Sequence, residues 1–184
     1  FHHATADSYR RILDYFTPRF LLGLTATPDR TDGNSLLAMC DNNLVYRCDL
    51  YEGIERNLLA PFRYLGVPDD VDYAQIPWRS NKFDVEELTI AVATEARAQN
   101  ALDQLKKHGK GPAIGFCVSM KHADFMANYF RKAGLRSVAV HSGGSSAPRN
   151  SSLEMLSHDE LDILFSVDMF NEGVDVPNIG TILM

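Results

Sequence analysis

Hydroxyls, carboxylates and small residues collect in four short stretches of the 184-residue chain, and each stretch carries a definite chemistry. In Thr25-Ala-Thr27-Pro28-Asp-Arg30, two hydroxyls are set to give or take hydrogen bonds at a ligand edge, and Pro28 fixes the exit of the backbone. The same hydroxyls would serve equally to satisfy a local turn. In Phe116-Cys-Val-Ser119-Met-Lys-His122, Ser119 sits where a strand hands over to a helix. Its hydroxyl and the helix's first amides suit a phosphate, or simply an N-cap. Val140-His141-Ser142-Gly143-Gly144-Ser145-Ser146 is a loop of small residues able to approach a polyanion backbone, with Arg149 just beyond it, or else a plain surface loop. Finally, Ser166-Val-Asp168-Met-Phe-Asn-Glu172-Gly173-Val-Asp175 lets the chain approach a ligand at Gly173 before presenting a carboxylate suited to ribose hydroxyls. As a solvated acidic loop it would need no ligand.

Other polar groups argue less. His2-His3 are adjacent and share no helix face, and no Cys or carboxylate set completes a metal site, so no metal is expected on these residues. Lys106-Lys107-His108 suits a helix C-terminus for dipole reasons alone. The cysteines (Cys40, Cys48 and Cys117) form no CxxC pair, which predicts a reducing, cytoplasmic setting.

The four stretches matter because of the elements that hold them. Tyr9, Ile12, Leu13 and Phe16 follow helical spacing, and Pro18 ends that helix. Phe20–Leu24 then reads as a buried strand, and Leu44–Cys48 as another. The turn-rich segment from Pro68 to Lys82 predicts a linker. One long helix is expected from Asp84 to Lys107. Apolar runs at 113–118, 137–140, 161–167 and 181–184 then alternate with a helix carrying Ala123, Met126, Ala127 and Phe130, and with a second one opening near Pro148. Such alternation predicts an α/β fold with a parallel sheet and right-handed crossovers. In that architecture ligands gather at the carboxyl ends of the strands, where all four stretches fall. Both ends of the chain read as cut through structure, which suggests a piece of a longer protein.

A hydrophobic share of 45% with 23% charged residues fits a globular core, and no apolar stretch reaches the length of a membrane span. With a net charge of −6, a nucleic-acid partner must be held by local patches rather than by the overall field.

In their order along the chain, these stretches resemble the motifs of superfamily 2 helicases, most closely the DEAD/DEAH-box (DExH) proteins grouped with type III restriction subunits. Phe1-His2-His3 resembles the tail of motif II, Thr25-Ala-Thr27-Pro28 motif III, Phe116–His122 motif IV, His141-Ser142-Gly143 the region after it, and Ser166–Pro177 motif V. Val167 stands where many members carry a strand-contacting Thr, and Ser166 is adjacent. The GxxxxGK[ST] loop, the motif II acidic pair and the arginine-bearing motif VI do not occur in the chain.

The resemblance implies a RecA-like (P-loop NTPase) fold: residues 1–48 as the C-terminal end of a first lobe, 49–82 as an interlobe linker, and 83–184 as most of the second lobe. It implies ATP and Mg2+ as cofactors, their ligands mostly outside this chain, and a nucleic-acid strand, read as DNA, as partner. His2, Thr25 and Thr27 would belong to the catalytic and coupling machinery; Glu172, Gly173 and Asp175 would face the nucleotide; Ser119, Ser142, Ser166 and Asp168 would face the strand. The expected function is part of an ATP-dependent helicase or translocase, a hydrolase acting on ATP, with these 184 residues inactive as an ATPase by themselves. The alternatives are the motor portion of a restriction or repair nuclease, with a fused or partner nuclease domain, and a non-catalytic α/β binding module.

Overall fold

The computed structural model describes residues 7–16, 18–26, 36–170 and 174–184. The chain divides into two compact units, Phe1–Leu65 and Gly66–Met184. The boundary falls just before the turn-rich segment that begins at Pro68.

In the first unit, the predicted N-terminal helix forms as α1 (Asp7–Phe16), with Asp7 in its first turn. Its apolar stripe is not covered by the described residues: Tyr9, Ile12 and Phe16 are all exposed. α2 (Leu50–Glu55) begins at Asp49, whose carboxylate accepts the Glu52 amide at 2.9 Å. Neither expected strand appears. Phe20–Leu24 and Leu44–Cys48 have no ladder partner among the described residues, and Phe20, Leu22, Leu24, Leu44, Val45 and Tyr46 are exposed. A strand exists only as half of a pair, so apolar composition alone does not make one.

The second unit opens with structure where a linker is expected. Trp78–Arg79 (β1) and Lys82–Phe83 (β2) form an antiparallel hairpin. Its two turn residues, Ser80 and Asn81, both have positive φ, the geometry that matches a hairpin's twist. Trp78 packs edge-on against its cross-strand partner Phe83 at 4.7 Å. Upstream, Asp69 accepts from the Tyr73 hydroxyl at 2.6 Å and pairs with Arg97, tying this segment to the helices that follow.

The single long helix expected from Asp84 is two helices, α3 (Val85–Val92) and α4 (Glu95–His108). Each has its own cap: Asp84 accepts from Glu86 and Glu87, and Thr94 accepts from Arg97. The reason is phase. Val92 and Ala98 are both buried, but six residues separate them, which is about 120° off register on a continuous helix. Breaking at Ala93–Thr94 lets both face the core.

The sheet contains β3 (Ala113–Phe116), β4 (Ser137–Val140), β5 (Ile163–Ser166) and β6 (Thr181–Leu183). All pairings are parallel, in the order β4-β5-β3-β6. Alternation along β5 sorts the core. Ile163 and Phe165 join Ala98 and Leu102 of α4 with Ala123, Ala127 and Phe130 of α5 (Met120–Lys132). Leu164 faces the other way, with Ile114, Val140 and Leu156 of α6 (Arg149–Ser157). The small Ala123 and Ala127 let α5 come close, so that Phe130 meets Phe165 edge-on at 4.9 Å. These elements match the sequence expectation. Among the described residues no helix is long and apolar enough to cross a membrane.

Candidate nucleic-acid interface

Because the strands are parallel, the carboxyl ends of β3, β4 and β5 share one edge, with Phe116 and Val140 both in register with Ser166. Three of the four stretches singled out by composition leave the sheet here.

After β3, the Cys117 amide donates to the Ser166 carbonyl at 2.8 Å, and the chain turns into α5 through Ser119. The Ser119 hydroxyl accepts the His122 amide at 3.2 Å and lies 2.7 Å from Thr89 Oγ1 of α3. Thr89 has one hydroxyl proton, and its 2.6 Å contact to the Val85 carbonyl takes it. Ser119 therefore supplies the proton between the two hydroxyls, and both of its hydrogen-bonding roles are satisfied inside the unit. Burial pushes the Cys117 thiol up to about 12 and, aided by the charge of Arg97, holds His122 down at about 4. Neither group offers charge to a ligand near neutral pH.

After β4, the loop folds back on itself. The His141 amide donates to Ser146 Oγ at 2.9 Å, Ser146 returns its amide to the Gly143 carbonyl at 3.2 Å, and the Ala147 amide covers the Ala139 carbonyl. The His141 ring is buried, with Nε2 3.1 Å from Asp124 of α5. Ser142 is exposed and its hydroxyl reaches Met120 Sδ at 3.8 Å, beside Ser119. Among the described residues the amides of Ser142, Gly144 and Ser145 find no acceptor.

After β5, Ser166 is fully buried and its Oγ has no hydrogen-bond partner among the described residues. Asp168 is exposed and sits in the left-handed region at φ 54°, which Asp tolerates better than most residues. Phe170 returns to the core, and the Arg149 guanidinium lies 5.3 Å over its ring. A cation in the first turn of a helix opposes the macrodipole, so this stacking helps to explain its place. Asp175 follows, exposed.

Ser119, Ser142, Ser166 and Asp168 thus gather at one sheet edge, Ser142 and Asp168 exposed and Ser166 enclosed. Thr25, half-buried, belongs to the first unit. His2, Thr27, Glu172 and Gly173 lie outside the described residues. Sequence reasoning missed Asp124 and Thr89, which act across 17 and 30 residues of chain where no local spacing could signal them. Among the described residues no group of three or more His, Cys, Asp or Glu side chains could hold a metal ion.

Comparison with known proteins agrees with this architecture. Residues 96–184 match the helicase conserved C-terminal domain, and residues 1–30 match the type III restriction enzyme res subunit. Saccharomyces cerevisiae IRC3, an inferred ATP-dependent helicase, is 25% identical over all of this chain and 28% of its own length. The pre-mRNA-splicing ATP-dependent RNA helicase PRP28 of Cryptococcus neoformans is 33% identical over 39% of this chain and 10% of its own. The chain therefore spans under a third of these relatives. The Pyrococcus furiosus Hef helicase domain aligns at 20% identity and a TM-score of 0.39 over 49% of this chain and 18% of that one, a likeness too slight to argue from. Residues 96–184 belong to the helicase C-terminal domain, and the two matches, in motif order around a parallel α/β unit of RecA-like type, support a superfamily 2 helicase of the group related to type III restriction subunits.

Proposed function

We propose that this chain is part of an ATP-dependent helicase or translocase that moves along nucleic acid, with DNA as the strand. The observation that carries the reading is the edge at the carboxyl ends of β3, β4 and β5, where the amides of Ser142, Gly144 and Ser145 have no acceptor among the described residues. Backbone donors at a sheet tip suit phosphate oxygens, and such contacts carry no base preference, as a translocase requires. Lys121 and Arg149 flank this edge in sequence, giving a local positive contribution in a chain of net charge −6.

For the nucleotide, the exposed Asp175 carboxylate suits ribose hydroxyls, with Glu172 and Gly173 beside it in sequence. ATP supplies the free energy of phosphoryl transfer when bound. Thr25 and Thr27 would couple its state to strand movement, with His2 near the metal–nucleotide centre. Mg2+ would accompany the nucleotide with its ligands mostly outside this chain, since among the described residues no group of three or more His, Cys, Asp or Glu side chains could hold a metal ion. Residues 1–48 read as the end of a first lobe and 83–184 as a second. Three cysteines without a disulfide suit a reducing cytoplasm.

The chain has no GxxxxGK[ST] cradle, so it binds a strand without turning over ATP. Fluorescence anisotropy with oligo-dT and oligo-rU, alongside an ATPase assay, tests this. Tighter binding of oligo-dT with no turnover is expected. Binding of neither strand would overturn the reading, and strand-stimulated hydrolysis would overturn the inactive ATPase. The match of residues 1–30 to a restriction subunit favours a motor serving a nuclease as the second reading, which cleavage of plasmid DNA by the protein with its partners would test.

A further inference from the structure

We propose that Asp124 is a positioning residue for strand binding, acting through His141 and Ser145 to hold the 141–146 loop in the form that presents its amides. The inference rests on the reading of that loop as a strand contact.

Both ring nitrogens of His141 and both carboxylate oxygens of Asp124 have partners. The Gly143 amide donates to His141 Nδ1 at 3.0 Å, so that nitrogen is bare and the ring proton sits on Nε2. Nε2 in turn faces Asp124 Oδ1 at 3.1 Å and donates to it. The second carboxylate oxygen accepts from the Ser145 hydroxyl at 2.8 Å. One side chain of α5 thus grips the loop at its root, through a ring that is 1% exposed, and again at its crest. The middle leaves little room for a side chain: a Cβ on Gly143 would stand 3.0 Å from both His141 Nδ1 and Met120 Sδ.

Two physical consequences follow. A loop reading Ser-Gly-Gly-Ser has high conformational freedom, and ordering it before the ligand arrives removes that cost from binding. Charge works the other way. The Asp124 carboxylate, 42% exposed, repels any phosphate that the loop receives. A carboxylate that opposes the ligand electrostatically, yet satisfies a buried ring and a loop hydroxyl together, acts by position and not by charge.

That opposition supplies the test. Asp124→Asn keeps an acceptor for Nε2–H and offers an amide to Ser145, while removing the charge. Asp124→Leu removes both. Affinity for fluorescein-labelled oligo-dT is read by anisotropy, hydrogen exchange reports the amides of residues 142–145, and long-range 1H–15N spectra report the His141 tautomer. Asp124→Leu should weaken binding about tenfold, accelerate loop exchange to a similar degree and mix the tautomers, as expected for a lost hydrogen-bonded anchor. Asp124→Asn should restore exchange and tautomer and bind as tightly as wild type or a few-fold tighter. Ser145→Ala, which spares the His141 contact, should give an intermediate loss. Wild-type affinity in Asp124→Leu overturns the proposal, whether or not its loop exchange changes. So does an Asn variant as weak as Leu. Failure of the wild-type chain to bind either oligo-dT or oligo-rU instead overturns the strand reading beneath it, a distinct result because failed positioning leaves wild-type binding intact.

Discussion

Thr89 on α3 and Ser119 at the head of α5 share a 2.7 Å hydrogen bond, the middle link of a relay that runs from the His122 amide through two hydroxyls to the Val85 carbonyl. The relay caps one helix and pins it to another, so Ser119 fills the cap role that the sequence offered it. Ser119→Ala should cost about 1 to 2 kcal/mol in urea unfolding, the usual loss for a helix N-cap. Thr89→Val should cost about 1 kcal/mol, because the Ser119 proton then loses its acceptor. Since the two share one bond, the double variant should fall short of the sum by about 0.5 kcal/mol or more. Strict additivity would mean that the relay does not exist in solution.

Gly180 precedes β6 at a place where no side chain fits. Its amide donates to the Pro112 carbonyl at 3.0 Å, and a Cβ would overlap the Lys110 carbonyl oxygen. That obstacle is backbone, held by Thr181, whose hydroxyl accepts the Lys110 amide at 2.8 Å and donates to the Lys110 carbonyl at 3.1 Å. Gly180→Ala should therefore destabilise by about 3 kcal/mol through backbone displacement. Gly134 is the control: its φ is +91° but nothing lies within 4 Å of a Cβ, so Gly134→Ala should cost only about 1 kcal/mol. Thermal melts of the two variants separate overlap from conformational strain, and equal shifts would remove the overlap argument.

The parallel sheet was legible because short apolar runs alternate with helices, β3 leading into α5 and β4 into α6, and Ala123, Met126, Ala127 and Phe130 all face the core as spaced. The gathering of Ser119, Ser142, Ser166 and Asp168 followed from parallel topology alone. Misreadings came where tertiary pairing decides. Phe20–Leu24 has strand composition but no ladder partner among the described residues. Ser80-Asn81 is a hairpin turn without the Gly that usually announces one. The α3–α4 break is visible only as a six-residue gap between buried positions. Asp124 was invisible because its partners lie across the sheet edge, out of reach of any local pattern.

Ser166 sets a sharper question, because its hydroxyl is fully buried at the tip of β5 with no partner among the described residues. A buried, unsatisfied hydroxyl costs folding free energy, so Ser166→Ala should leave stability unchanged or raise it by up to about 1 kcal/mol. Calorimetric melting of wild type and variant measures this directly. If melting is unchanged or higher while strand affinity falls, the hydroxyl finds its partner only in the bound state. A large loss of stability would mean that Ser166 already has a partner, such as a buried water.

His122 makes stability depend on pH in a defined window. Its ring is buried and its Nδ1 accepts the Val118 amide at 3.4 Å, an acceptor that protonation would abolish. Burial first, and the positive charge of Arg97 second, lower its pKa from 6.5 to about 4. The unfolded chain therefore binds this proton more readily than the folded one. The neutral ring's contribution is fully present above pH 6.5 and is lost as pH falls toward 4, by about 3 kcal/mol over the window. At the acid end Asp162 adds a loss of its own, because Arg136 holds its carboxyl below the ordinary value. The clean measurement is thus the difference between wild type and His122→Leu in urea unfolding. Wild type should lose more stability than the variant on acidification from pH 6.5 to 4, with the curves running parallel above that window. Parallel curves throughout would mean that His122 is not buried as the neutral ring.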